Sequence, residues 1–184
     1  MVCKIFDTCF VVAFKEIIAT SLLPVYGLRV GLSEYSATLM LFFGAAGGAL
    51  LQLPIGWAAD HFDPRKVFII CALVGVVGAI VWPFVISIPF LLWTTFFLWW
   101  GFFAGIYTVS MILAGKWFKG KKLTTAMASF GFFWGIGSFV GPIVGGKSMD
   151  LWDPHGLPLT LFIITGLFFV ITLVPSFFLI PPKN

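Results

Sequence analysis

Polar and charged positions along the chain gather in short clusters, and long apolar runs separate them. Reading the runs between turn and charge signals gives six stretches, at 5–27, 36–57, 67–86, 89–114, 123–146 and 158–180. Each is close to the ~20 mainly apolar residues a helix needs to cross a bilayer. The pattern predicts an all-α integral membrane protein of six transmembrane helices joined by short loops, with no soluble domain or repeat array. The first stretch is the weakest, because Lys15 and Glu16 interrupt it near its middle. Without it the chain would hold five helices, and its ends would face opposite sides.

Composition leaves little room for a soluble alternative. Of 184 residues, 60% are hydrophobic and 10% charged, with 23 Phe and 8 Trp, too much apolar surface for a water-soluble domain of this size to hide. The net charge of +4 reads as membrane topology rather than nucleic-acid affinity, since no basic stripe is present. With alternating crossings, one side collects Lys4, Arg65, Lys66, Lys116, Lys119, Lys121, Lys122 and Lys183, and the other only Arg29 and Lys147. Basic residues near helix ends stay cytoplasmic, which places both termini in the cytoplasm. Cys3, Cys9 and Cys71 fall in or beside apolar runs with no framework spacing, against a disulfide scaffold or zinc site. The opening residues start as a signal peptide does, but Lys15 and Glu16 break that run and favour retention.

One window stands out. "GWAADHFDPRK" (Gly56–Lys66) crowds two Asp, a His, an Arg and a Lys between the second and third apolar runs. It resembles the signature loop of the major facilitator superfamily of secondary transporters, with Gly56, Ala59, Asp60, Arg65 and Lys66 at matching positions. His61, Asp63 and Pro64 depart from that pattern, standing where Arg, Gly and a basic residue are usual. "GSFVGPIVGG" (Gly137–Gly146) fits the superfamily's G-x-x-x-G-P-x-x-G-G helix motif at every fixed position, Gly137, Gly141, Pro142, Gly145 and Gly146. The runs "LLPVYGLRVGLSE" and "LLQLPIGWAAD" look like the start of the C-terminal half of bacterial YcaD-like transporters. The resemblance implies helices seven to twelve of a twelve-helix carrier in the bacterial plasma (inner) membrane. The fourth run's lack of an intramembrane Arg points the same way. It further implies that the loop at Gly56, Asp60, Arg65 and Lys66 latches one transporter half against the other. The plain alternative is that its charges only hold the loop in the cytoplasm.

Physical chemistry adds candidates of its own. Gly56 would let a neighbouring helix approach, and Asp60 could face another helix's positive N-terminus. Gly137, Gly141 and Gly145 share one helix face, Gly131 and Gly135 lie on a neighbouring one, and Pro142 should bend the helix. Gly101 and Gly105 read as packing. Lys15 and Glu16 form an ionisable pair deep in a span, where charge is costly and usually faces a polar cavity or a partner. Glu16 is therefore a candidate proton carrier and Lys15 a counter-charge or anion contact, unless the helix starts later and both sit near the interface. Gln52, a lone amide in an apolar helix, is expected to bond a neighbouring helix more readily than a substrate. Tyr26 and Trp134 are further pathway candidates, and the Trp residues, Trp93, Trp99 and Trp100 among them, read mainly as interface anchors or lipid-facing mass. His61 and His155 have no second ligand nearby, so no metal is expected.

A weak internal echo links "GGALLQLPIGWAAD" (Gly47–Asp60) with "GSFVGPIVGGKSMD" (Gly137–Asp150). Two inverted three-helix units would place these segments in helices two and five, and chance likeness between Gly/Pro-rich helices is an equal alternative.

The sum is an expected secondary carrier, or the C-terminal half of one, moving a small solute by alternating access with proton coupling. It would need lipid, a solute and a second six-helix half, either a missing N-terminal half or a second copy. No P-loop, catalytic triad or cofactor motif is visible, so neither an enzyme nor a cofactor is expected. The alternative is a six-helix membrane subunit that only binds or stabilises a partner. The orientation is testable: a single cysteine replacing Lys119 should react with impermeant reagents from the cytoplasmic face alone. Labelling from outside would reverse the assignment.

Overall fold

The computed structural model describes the backbone of residues 2–174 and side chains from Phe10 onward. The described residues form six helices: α1 (Val2–Arg29), α2 (Glu34–His61), α3 (Pro64–Val85), α4 (Pro89–Trp117), α5 (Lys121–Leu151) and α6 (Gly156–Leu173). Each contains a stretch long and apolar enough to cross a membrane. The expected sixth run extends to 180, and its part beyond 174 lies outside the described residues, as do Lys183 and the side chains of Cys3, Lys4 and Cys9. The expected runs sit inside helices that reach several residues further at most ends. Apolar periodicity marks the hydrocarbon core, while capping chemistry sets the true ends.

Those ends have local causes. At the end of α1, Gly31 takes φ 87°, and the bonds Leu32 N–H to Gly27 O and Gly31 N–H to Leu28 O close the helix. Ser33 accepts a bond from the Ser36 N–H to start α2. Asp63 accepts from the Arg65 N–H at 3.0 Å, with Pro64 at the first turn of α3. Asp63 and Pro64, two of the departures from the signature loop, thus form a helix start.

Helix association in lipid has no hydrophobic force behind it and relies on packing and close backbone approach. Two pairings dominate the bundle, α2 with α4 and α1 with α5. In the first, a Cβ on Gly47 would strike the backbone carbonyl of Phe97, and one on Gly101 would lie 2.6 Å from the Gly47 carbonyl. In the second, a Cβ on Gly137 would meet the Phe10 carbonyl at 2.6 Å, and one on Gly141 the Phe14 carbonyl at 2.8 Å. Gly47 and Gly137 open the two echoed segments, and exchanging α1–α3 with α4–α6 converts one pairing into the other. The echo therefore has a structural counterpart in how the helices meet.

The core between these pairs is aromatic. Trp82, Phe96 and Trp99 pack together, and the Trp99 indole N–H donates to the Gly75 carbonyl of α3 at 2.8 Å. Gly78 leaves room for the same indole. This corrects the expectation for Trp99 and Trp100, which are 2% and 5% exposed and are neither anchors nor lipid-facing. Buried hydroxyls bond within their own helices, Ser110 to the Ile106 carbonyl and Thr165 to that of Leu161.

Two ion-pair sites among the described residues follow the alternation of crossings. Arg29 at the end of α1 pairs with Asp153 at 2.8 Å and Asp150 at 3.2 Å, beside the α5–α6 turn. At the opposite end, Lys116 of α4 lies 3.9 Å from Asp60 of α2. The glycine contacts give a direct test. Gly47→Val and Gly137→Val should each cost ~2 kcal/mol or more, because backbone rather than a side-chain tip is in the way. Gly135→Ala, with nothing within 4 Å of its Cβ position, should leave thermal unfolding in detergent unchanged.

Candidate functional site

A cavity of about 500 Å³ opens between α1, α2, α4 and α5. Its wall is built at helical spacing: Glu16 and Thr20 from α1, Gly48 and Gln52 from α2, Trp100, Ala104 and Tyr107 from α4, and Trp134 from α5. Each set recurs at three or four residues, so one face of each helix points into the same space. Glu16 is half-buried, and Gln52 is exposed in the isolated chain. The Gln52 side chain makes no hydrogen bond among the described residues, contrary to the expected bond with a neighbouring helix.

Lys15 and Glu16 part company here. Adjacent helical residues point about 100° apart, and only Glu16 lines the cavity. Lys15 is 1% exposed, its ammonium 4.4 Å from the Trp99 ring centroid and 4.6 Å from those of Trp100 and Phe103. No carboxylate lies within 4.0 Å of it among the described residues. Moving a lysine to a span centre costs ~2.5–3.5 kcal/mol on insertion scales. Each desolvated cation–π contact returns up to ~2 kcal/mol, so three aromatic faces can hold the charge where one could not. The helix begins well before Lys15 and Glu16.

Other candidates divide. Trp134 lines the cavity, whereas Tyr26 is 1% exposed and stacks on Trp82 at 5.6 Å, away from it. Trp100 and Tyr107 were missed, although their spacing with Ala104 along α4 carries the signal. Gly137, Gly141 and Gly145 hold α5 against α1, while Gly131, Gly135 and Gly146 have nothing within 4 Å of a Cβ position. α5 runs as one helix through Pro142. Gly105 packs against Ile55 and Cys71.

Around the charged loop, a Cβ on Gly56 would meet only Thr108 Cγ2, at an ordinary 3.6 Å. The expected close helix approach at Gly56 is therefore not made among the described residues. Asp60 is exposed beside Lys116, Lys66 is exposed, and Arg65 sits in the first turn of α3. His61 stacks on Trp57 at 4.5 Å, and His155 precedes α6.

A membrane-spanning six-helix bundle with a cavity between its two main helix pairs, apolar with a few polar side chains, has the architecture of half a solute carrier. The model of the Major Facilitator Superfamily matches residues 6–184, and the chain belongs to that family. It is 25% identical over 157 residues to an uncharacterized MFS-type transporter, YfkF, of Bacillus subtilis (strain 168). That match covers 83% of this chain and 39% of the longer protein.

The position of Lys15 can be checked by stability. Lys15→Met keeps the length and removes the buried charge, so thermal unfolding should stay within a few degrees of the wild type or rise. Lys15→Glu, which sets a carboxylate against three ring faces, should cost ~3 kcal/mol or more.

Proposed function

We propose that this chain forms one six-helix half, of the helix-seven-to-twelve type, of a secondary transporter. It moves a small solute by alternating access, with Glu16 carrying the coupled proton. The observation that supports this reading most is the Glu16 carboxylate on the wall of the cavity between α1, α2, α4 and α5. A carboxyl group in a low-dielectric, partly wet cavity can exchange a proton as access alternates, which an acid facing lipid could not do.

A second six-helix half closes the cavity on its open side, from either an N-terminal half or a second copy of the chain. Support comes from the polar groups Gln52 and Glu16, which lipid cannot satisfy, and from the exposed aromatic residues Phe132 and Phe139 on α5. Both termini and the Asp60 and Lys119 loops lie in the cytoplasm, at a bacterial plasma membrane, by the Lys/Arg bias. In the assembled carrier, Asp60 exchanges its contact with Lys116 for one with the opposite half in one of the two conformations. Its exposed pairing at 3.9 Å is weak enough to be exchanged.

Solute uptake into reconstituted vesicles, with and without a proton gradient, tests the reading. Glu16→Gln should abolish stimulation by the gradient while folding is retained. Asp60→Asn should slow transport several-fold with normal insertion. Unchanged gradient dependence in Glu16→Gln would remove the proton role, and absence of flux with any gradient from the chain assembled with its second half would remove the transporter role.

A further inference from the structure

The cavity also carries information about charge. Its wall holds one carboxylate, Glu16, and neither a lysine, an arginine nor a histidine. The remaining polar contributors include Thr20, Gln52 and Tyr107. An anionic solute would meet a like charge on the wall itself, whereas a cation would meet an opposite one. Lys15 is not part of that wall: its ammonium is enclosed by the Trp99, Trp100 and Phe103 rings, of which Trp100 lines the cavity.

The aromatic side chains sharpen the reading. Tyr107 and Trp134 both line the cavity and meet edge-to-face, centroids 5.5 Å apart and planes at 76°. Two rings at nearly a right angle form a corner, and a compact cation seated there can touch ring faces on two sides. Tyr107, which also meets Phe130 edge-to-face, stands beside Trp134 on the cavity wall, apart from the rings that enclose Lys15 except Trp100. A volume of about 500 Å³ suits a small organic molecule and far exceeds that needed by a bare metal ion.

We infer that the cavity binds a small organic cation, a quaternary or protonated amine, between the Glu16 carboxylate and the Tyr107–Trp134 aromatic corner. This rests on the reading of the cavity as the solute site, but its test is binding and needs no transport. Choline and its uncharged dimethylbutanol isostere are titrated onto the full chain in nanodiscs, with calorimetry as the readout. Choline should bind saturably, and the isostere about tenfold or more weaker, since it keeps the shape and loses the charge. Glu16→Gln should weaken choline about tenfold. Trp134→Phe should retain much of the affinity that Trp134→Leu loses. Equal binding of the isostere, undiminished binding by Glu16→Gln, or no saturable binding of choline by folded wild-type chain would each overturn the inference. Transport of another solute without choline binding would end this assignment and leave the transporter reading in place. Choline binding without flux would do the reverse.

Discussion

The bundle depends on backbone meeting backbone at glycine. Lipid tails are as apolar as leucine side chains, so burying Leu against Leu gives helices in a membrane little reason to associate. Close approach restores the advantage, through dispersion contacts and carbonyl dipoles that bulkier residues would hold apart. Gly47 and Gly101 bring α2 and α4 together, and Gly137 and Gly141 do so for α5 and α1. The cavity opens beside the aromatic core, and its wall takes Glu16 and Thr20 from α1, Gln52 from α2, Tyr107 from α4 and Trp134 from α5.

That arrangement explains how the aromatic core and the charged pair coexist. Trp99 is held by its bond to the Gly75 carbonyl and by the space that Gly78 leaves for it. Held there, it forms one wall of the site for the Lys15 ammonium, and Trp100 and Phe103 form the others. Trp100 in turn fits only because Gly44 opposes it on α2, where a Cβ would strike the indole. Small residues on α2 and α3 thus make room for large ones on α4, and these make a buried lysine tolerable on α1. A change at any of these glycines would reach the lysine through one or two packed side chains.

Much of this was legible in sequence, and the rest was hidden for definable reasons. Six apolar runs suffice for six helices because a bilayer admits few other solutions. The motif at Gly137, Gly141 and Gly145 was legible because period four puts the three on one face, and that face does meet α1. Its partner was not legible, since periodicity shows a stripe without showing which helix fills it. Glu16 and Lys15 were legible as a costly pair, but their opposite directions depend on where α4 lies. Trp99 and Trp100 were misread because a tryptophan-rich helix looks the same whether its indoles face headgroups or a neighbouring glycine. Gly56 follows the signature-loop spacing, and among the described residues its Cβ position meets only Thr108, so a partner for it is not legible from a single half.

The adjacency of Lys15 and Glu16 has a further consequence. Inserted together, the two residues bring opposite charges into the membrane, and each carries a cost that a partner or a polar cavity must offset. Once folded, helical geometry separates them by environment: the ammonium is enclosed by rings, and the carboxylate faces a space that water or solute can enter. A buried cation that cannot leave acts as a fixed positive field beside a carboxylate that can exchange partners. If the residues were reversed, the carboxylate would meet the negative faces of Trp99, Trp100 and Phe103, and the lysine would occupy the cavity. The order of these two residues, read against the placement of α4, decides the sign of the charge the cavity presents.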